Sequence, residues 1–175
     1  MIRQLLLYKS NRINVYATPA VERQDPRRLK WFVKAAIAAE KTLIKSICRK
    51  YPEETKDIKF SFVFKNYKTA DVLGNCDVEY DGSIVVDLNA KAMGSNLCKT
   101  IAHELVHARQ FISKQLIYNT RIKYYTYEGD KHRYIYRRQP WEIEAYKLES
   151  EGELRMKRWL LDHVHYNPQL TTTRI

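Results

Sequence analysis

The sequence predicts an α+β domain, and three observations carry that reading. A long amphipathic helical pattern opens the chain, between Asp25 and Tyr51. Alternating, strand-like runs follow between Ile58 and Leu88, and two further amphipathic helices come after them with a Tyr-rich segment between. Helix, strands, helix, small hairpin, helix is the order of an α+β unit around a small antiparallel or mixed sheet. The length of 175 residues suits a single domain, 1–175, with a sizeable core.

In the first helix Asp25 can cap the N-terminus, and Pro26 suits the first turn, where its missing N–H costs nothing. Leu29, Phe32, Val33, Ala36, Ile37, Leu43, Ile44 and Ile47 recur at helical spacing, with Glu40 the one polar break. This reads as a packing helix with a basic outer face. In "DIKFSFVFKNY", Ile58, Phe60, Phe62 and Phe64 alternate with polar or small neighbours, the period of a strand. "CDVEYDGSIVVDLNA" holds two short strands around Asp81-Gly82, a hairpin signal. The second run, Ile84 to Leu88, is read as an edge strand. The next helix is expected from about Ser95 to beyond Phe111, with Leu97, Cys98, Ile101, Ala102, Leu105, Ala108 and Ile112 as its core stripe. "YYTYEGDKHRYIYRR" is hairpin-like. The last helix starts near Pro140, and its inward stripe is Trp141, Ala145, Leu148, Gly152, Met156, Trp159 and Leu160.

Bulk properties narrow the function classes. Cys48, Cys76 and Cys98 are odd in number and contain no CxxC pair, which excludes a cysteine zinc ribbon and argues against a disulfide framework. The first residues make a poor signal peptide, and no apolar run is long enough for a membrane span. The expected compartment is the cytoplasm. The formal net charge of +11 points to an acidic partner such as nucleic acid, or to a solvated basic face.

The chemistry is concentrated in "TIAHELVHARQ", Thr100 to Gln110. Residues four apart lie above one another on a helix, so His103 and His107 can aim two imidazoles at one ion. Glu104 projects about 100° further round, beside the ion rather than on it. Two ligands and one general base is the logic of HExxH. A catalytic zinc takes three protein ligands and keeps one position open. In the last helix Glu142 falls inside the edge of the apolar stripe, where an unpartnered carboxylate would be costly. It is the preferred third ligand. Glu144 on the opposite flank and His132 in the Tyr-rich hairpin are its rivals. Glu149 lies on Glu142's side, two turns on, as a supporting group; His163 and His165 read as surface histidines.

The stretch "VLGNCDVEYDGSIVVDLNAKAM…TIAHELVHARQF" resembles the catalytic core of SprT-like zincin metalloproteases. "QPWEIEAYKLE" is similar to the ExxA element of small phage and bacterial metallopeptidases and of gluzincin-type enzymes, where a downstream helix supplies a glutamate ligand. The resemblance covers about Val72 to Glu151. It implies a minimal zincin-like domain with His103, His107 and Glu142 on Zn2+ and Glu104 as acid/base. The chain departs from SprT proteins in lacking their third histidine near the motif. It departs from gluzincins in carrying Tyr146 where an acidic or amide residue often follows the alanine.

The expected activity is zinc-dependent peptide hydrolysis, with an extended protein or peptide substrate pairing along Ile84–Leu88. Tyr146, Tyr127, Arg138 and His132 are candidate oxyanion donors, although plain hairpin packing is the better account of the Tyr cluster. The alternative is a regulatory or nucleic-acid-binding module on a zincin frame with a mainly structural zinc. Its charge would come from Arg27, Arg28, Lys30, Arg121, Lys123, Lys131, Arg133, Arg137 and Arg138, with interleaved Tyr for base stacking.

Overall fold

The computed structural model describes residues 4–23, 26–68, 71–91, 96–119, 124–131 and 138–164. Asp25, Ser95, His132 and His165, and with them Arg121, Lys123, Arg133 and Arg137, lie outside these residues. The described chain is a mixed α+β structure. Its main sheet has five strands: β1 (Leu5–Lys9), β2 (Ile13–Ala17), β3 (Phe60–Lys65), β4 (Gly74–Val78) and β5 (Ile84–Asn89), in the order β1-β2-β3-β5-β4. The sheet is mixed, because β2–β3 and β3–β5 run parallel whereas β1–β2 and β4–β5 run antiparallel. The sequence reading assigned no strands to the first twenty residues. Ile13, Val15 and Ala17 are wholly buried there, a period-two pattern too short to stand out.

The edge strand needs correction. Ile84–Leu88 is interior, bonded to β3 on one side and β4 on the other, and β4 is the edge. Composition explains the exchange. β5 is apolar enough to be buried between neighbours, whereas β4, "GNCDV", exposes Asn75 and Asp77 as edge strands do. The turn between them closes at Gly82, whose φ of +81° an L side chain rarely adopts.

Helix α1 (Pro19–Glu22) is a single turn. The long N-terminal pattern forms α2 (Pro26–Ala39), a π-helical turn (Glu40–Ile44) and α3 (Lys45–Lys50). The widened turn begins at Glu40, the polar break, whose Oε1 accepts the Ser10 hydroxyl at 2.6 Å. Phe32 of α2 stacks on Phe64 of β3 with ring centroids 4.0 Å apart, fixing the helix to the sheet. Helix α4 (Leu97–Ile112) lies against β4 and β5, and all seven residues of its anticipated stripe are buried.

Helix α5 (Pro140–Val164) packs along α4. Trp141, Ala145, Gly152, Met156 and Leu160 are buried, and Leu148 and Trp159 are half-buried. Gly152 permits the close crossing, since a Cβ there would sit 2.8 Å from the Ala102 Cβ. The helix next to the HExxH residues is thereby held at near-backbone distance. The Tyr-rich region forms a second, three-stranded sheet of β6 (Leu116–Asn119), β7 (Tyr124–Tyr127) and β8 (Asp130–Lys131), one strand more than the expected hairpin. Among the described residues no helix is long and apolar enough to cross a membrane.

Candidate metal centre

Helix α4 brings His103 and His107 to one face, and α5 brings Glu142 to meet them. One ligand atom from each of the three lies within 4.8 Å of the others, and all three residues are buried. The two Nε2 atoms are 3.2 Å apart. Glu142 Oε2 is 3.3 Å from His103 Nε2, and Oε1 is 3.4 Å from His107 Nε2.

The neighbours fix the imidazole tautomers. Gln110, wholly buried, donates its amide to the Trp141 carbonyl at 3.1 Å and to Glu144 Oε2 at 2.7 Å. Its Oε1 must therefore accept, so His107 Nδ1 donates to it at 2.8 Å. His103 Nδ1 lies 3.0 Å from Glu149 Oε2 and donates to that carboxylate. Both Nδ1 atoms carry a proton, so in the neutral rings, the form that binds a metal, both Nε2 atoms present lone pairs. Two lone pairs facing each other at 3.2 Å, beside a buried carboxylate, repel unless a cation joins them. Glu142 Oε2 is buried with no hydrogen-bond partner. Two nitrogens bound tetrahedrally at 2.0–2.1 Å from one zinc would be about 3.3 Å apart. The donor set thus fits a divalent metal in spacing, tautomer and unmet valence.

Supporting contacts run outward from each ligand. Glu149, behind His103, is ion-paired with Lys99 at 3.1 Å. Glu144, behind Gln110, pairs with Arg109 at 2.6 Å and accepts the Tyr127 hydroxyl at 3.0 Å. Burial would raise the Glu144 carboxyl, but its donors Gln110, Arg109 and Tyr127 outweigh that and hold it below its ordinary value. Burial lowers the His107 imidazole. For His103 burial acts the same way, yet the carboxylates of Glu142, Glu104 and Glu149 overcome it and the net direction is upward.

Glu104 sits against the start of β4. Its carboxylate occupies the space above Gly74, where a Cβ would fall 2.6 Å from Oε1. Burial pushes its carboxyl up to about 8; Glu142, Asp77 and Asp87 act in the same direction and His103 opposes them. A bound cation would pull the value back down. The backbone beside Gly74 is pinned by Asn89, which donates from Nδ2 to the Val72 carbonyl and from its main chain to the Leu73 carbonyl, each at 2.9 Å.

The structure therefore gathers His103, His107 and Glu142, with Glu104 alongside. Glu144 is turned away toward Gln110, and His132 lies outside the described residues. Of the four suggested oxyanion donors, Tyr146 packs edge-on against His103 at 4.9 Å and Tyr127 is engaged with Glu144. Arg138 is exposed just before α5. His163 is a surface residue stacked on Trp159 at 4.6 Å. Sequence reasoning missed Gln110 and Gly74, though both left signals. Gln110 follows His107 at i+3, on the same helix face. Gly74 is the first residue of β4, and a glycine in a strand marks close approach by another group.

No protein-family model, curated protein or solved structure matches the chain.

Proposed function

We propose that the chain is a zinc-dependent metallopeptidase in which His103, His107 and Glu142 hold the metal and Glu104 is the general base. The observation that carries this is the pair of imidazole lone pairs converging with an unpartnered buried carboxylate oxygen, with a separate buried glutamate one residue from the first ligand. Zinc held there supplies Lewis acidity, lowering the pKa of water toward about 7 and polarising a scissile carbonyl. Glu104 takes the proton of the attacking water and passes it to the departing amine. Gly74 leaves room for its carboxylate beside the metal ligands. The open edge of β4 adjoins that carboxylate, which makes it, rather than β5, the place for an extended substrate backbone.

The rival is a regulatory or nucleic-acid-binding module with a structural zinc. Structural zinc sites close with four protein ligands. Among the described residues the cluster has three, which favours an open, reactive position. The test is metal analysis of purified protein together with a peptide-library digest, comparing wild type with Glu104→Gln. Equimolar zinc in both, with cleavage by wild type alone, is the expected result. Zinc-loaded wild type that cleaves nothing, or an equally active Glu104→Gln, removes the proposal.

A further inference from the structure

The far half of α5 takes part in a second feature, independent of the metal centre. With the π-helical turn and α3 it encloses a groove of about 560 Å3, into which Lys41, Lys45, Arg49, Arg155 and Arg158 project. Glu151 and Asp162 also line it, leaving a net charge of +3 from five cations and two carboxylates. Lys45, Arg49 and Arg158 are exposed and have no ion pair among the described residues. Arg155 is steered across the groove by donating to the Thr42 carbonyl at 3.2 Å. Half-buried Trp159 also lines it.

We propose that this groove binds the phosphodiester backbone of a nucleic acid. The cations are spread in a row rather than converging on one point, so they fit a linear polyanion better than a single phosphate. Lys41, Lys45 and Arg49 are spaced four residues apart, about 6 Å of helix rise per step, and span about 12 Å. A DNA strand presents one phosphate per 3.4 Å of axis, so the row faces about three or four of them. Arg155 and Arg158 add charge from the other wall. Arg155 lies thirteen residues along α5 from Glu142, about 20 Å, so a bound strand would leave the metal centre free. This assignment moves the nucleic-acid surface away from Arg27, Arg28 and Lys30, which are exposed on α2.

The test is fluorescence anisotropy of the full chain with a labelled single-stranded DNA of about twenty nucleotides, over a salt series. The triple variant Lys45→Ala, Arg49→Ala, Arg158→Ala should bind at least tenfold more weakly. The slope of log K against log salt should shrink by about 2, since each lost phosphate contact removes about 0.7. A control with the same charge loss, Arg27→Ala, Arg28→Ala, Lys30→Ala, should change affinity less than twofold. Arg158→Gln alone, expected to cut the slope by about 0.7, keeps the question answerable if the triple variant unfolds. Equal losses in the two triple variants would mean diffuse charge and overturn the groove. So would wild-type affinity in the groove variants, or displacement of the oligonucleotide by polyglutamate as readily as by unlabelled DNA.

Discussion

The two halves of α5 differ in charge, in burial and in where their partners come from. From Pro140 to Glu153 the helix carries Glu142, Glu144, Glu149, Glu151 and Glu153 against Lys147 alone; from Leu154 to Val164 it carries Arg155, Lys157 and Arg158 against Asp162. Acid near the N-terminus and base near the C-terminus suit the helix dipole, but the dipole does not explain the burial. Glu142 and Glu149 are both under a tenth exposed, whereas Arg155 and Arg158 are exposed. A buried carboxylate needs a partner, and the fold brings His103 and His107 to Glu142 and His103 and Lys99 to Glu149. Exposed cations need none, so their arrangement is informative only where they line a shared concavity. The His103–Glu142 end is thus marked by a buried carboxylate oxygen, Glu142 Oε2, that no hydrogen bond satisfies, and the other end by exposed cations that line a shared concavity.

The comparison breaks most visibly under metal titration. Zinc at about a thousand times its Kd should add about 4 kcal/mol to stability, which for a chain of this size is about 10 °C in Tm. Glu142→Ala should abolish that rise, read by differential scanning calorimetry with and without chelator. The Lys45, Arg49, Arg158 triple variant should keep it in full. A rise that survives Glu142→Ala would place the metal elsewhere; one lost in the triple variant would show that the two halves are coupled.

Next in size is Gly74→Ala. Its methyl would meet the Glu104 side chain first, since the three atoms nearest a Cβ there all belong to Glu104. Zinc content should stay at wild type, and kcat should fall about 100-fold, the scale of a displacement of about 1 Å at a reacting group. Peptide turnover and metal analysis on the same preparation separate this from simple misfolding. Full activity in Gly74→Ala would mean that Glu104 has another place to sit.

That residue also marks where the sequence stops being readable. His103, His107 and Glu142 were legible because helical periodicity converts spacing into direction, and both helices have clear apolar stripes. The angular separation of Glu142 from Glu144 follows from the same arithmetic. The N-terminal hairpin was not legible, because strands of five residues with three inward positions fall below the reach of a period-two pattern. The edge strand was misassigned because adjacency is a property of the whole sheet: β3 enters between β2 and β5 from elsewhere in the chain. Only the polarity of "GNCDV" hinted at the outcome. Gln110 was passed over because its i+3 spacing from His107 gives only a shared face; its role appears when its partners, Trp141 and Glu144, arrive from α5.

Glu149→Ala gives a smaller effect at the metal end. It leaves His103 in place but removes the acceptor that fixes its tautomer, so zinc affinity should fall 10–100-fold, measured by competition with a chromogenic chelator. Lys99→Ala touches the same carboxylate from the solvent side. It should change affinity far less, since Glu149 would still accept from His103.

The smallest effect tests how far the satisfied network extends. Tyr127→Phe keeps the ring beside Trp141, at 6.2 Å between centroids, and deletes only the hydroxyl that donates to Glu144. Glu144 retains Gln110 and Arg109, so the loss should be about 1 kcal/mol, or about 3 °C in Tm. In a Glu144→Ala background the same substitution should cost less, because the bond to Glu144 is already gone. An unchanged cost there would assign the stabilisation to some contact of the second sheet other than Glu144. The chain of partners from His107 through Gln110 would then end at Glu144 and Arg109, and the metal end would be no more widely braced than its ligands and their immediate neighbours.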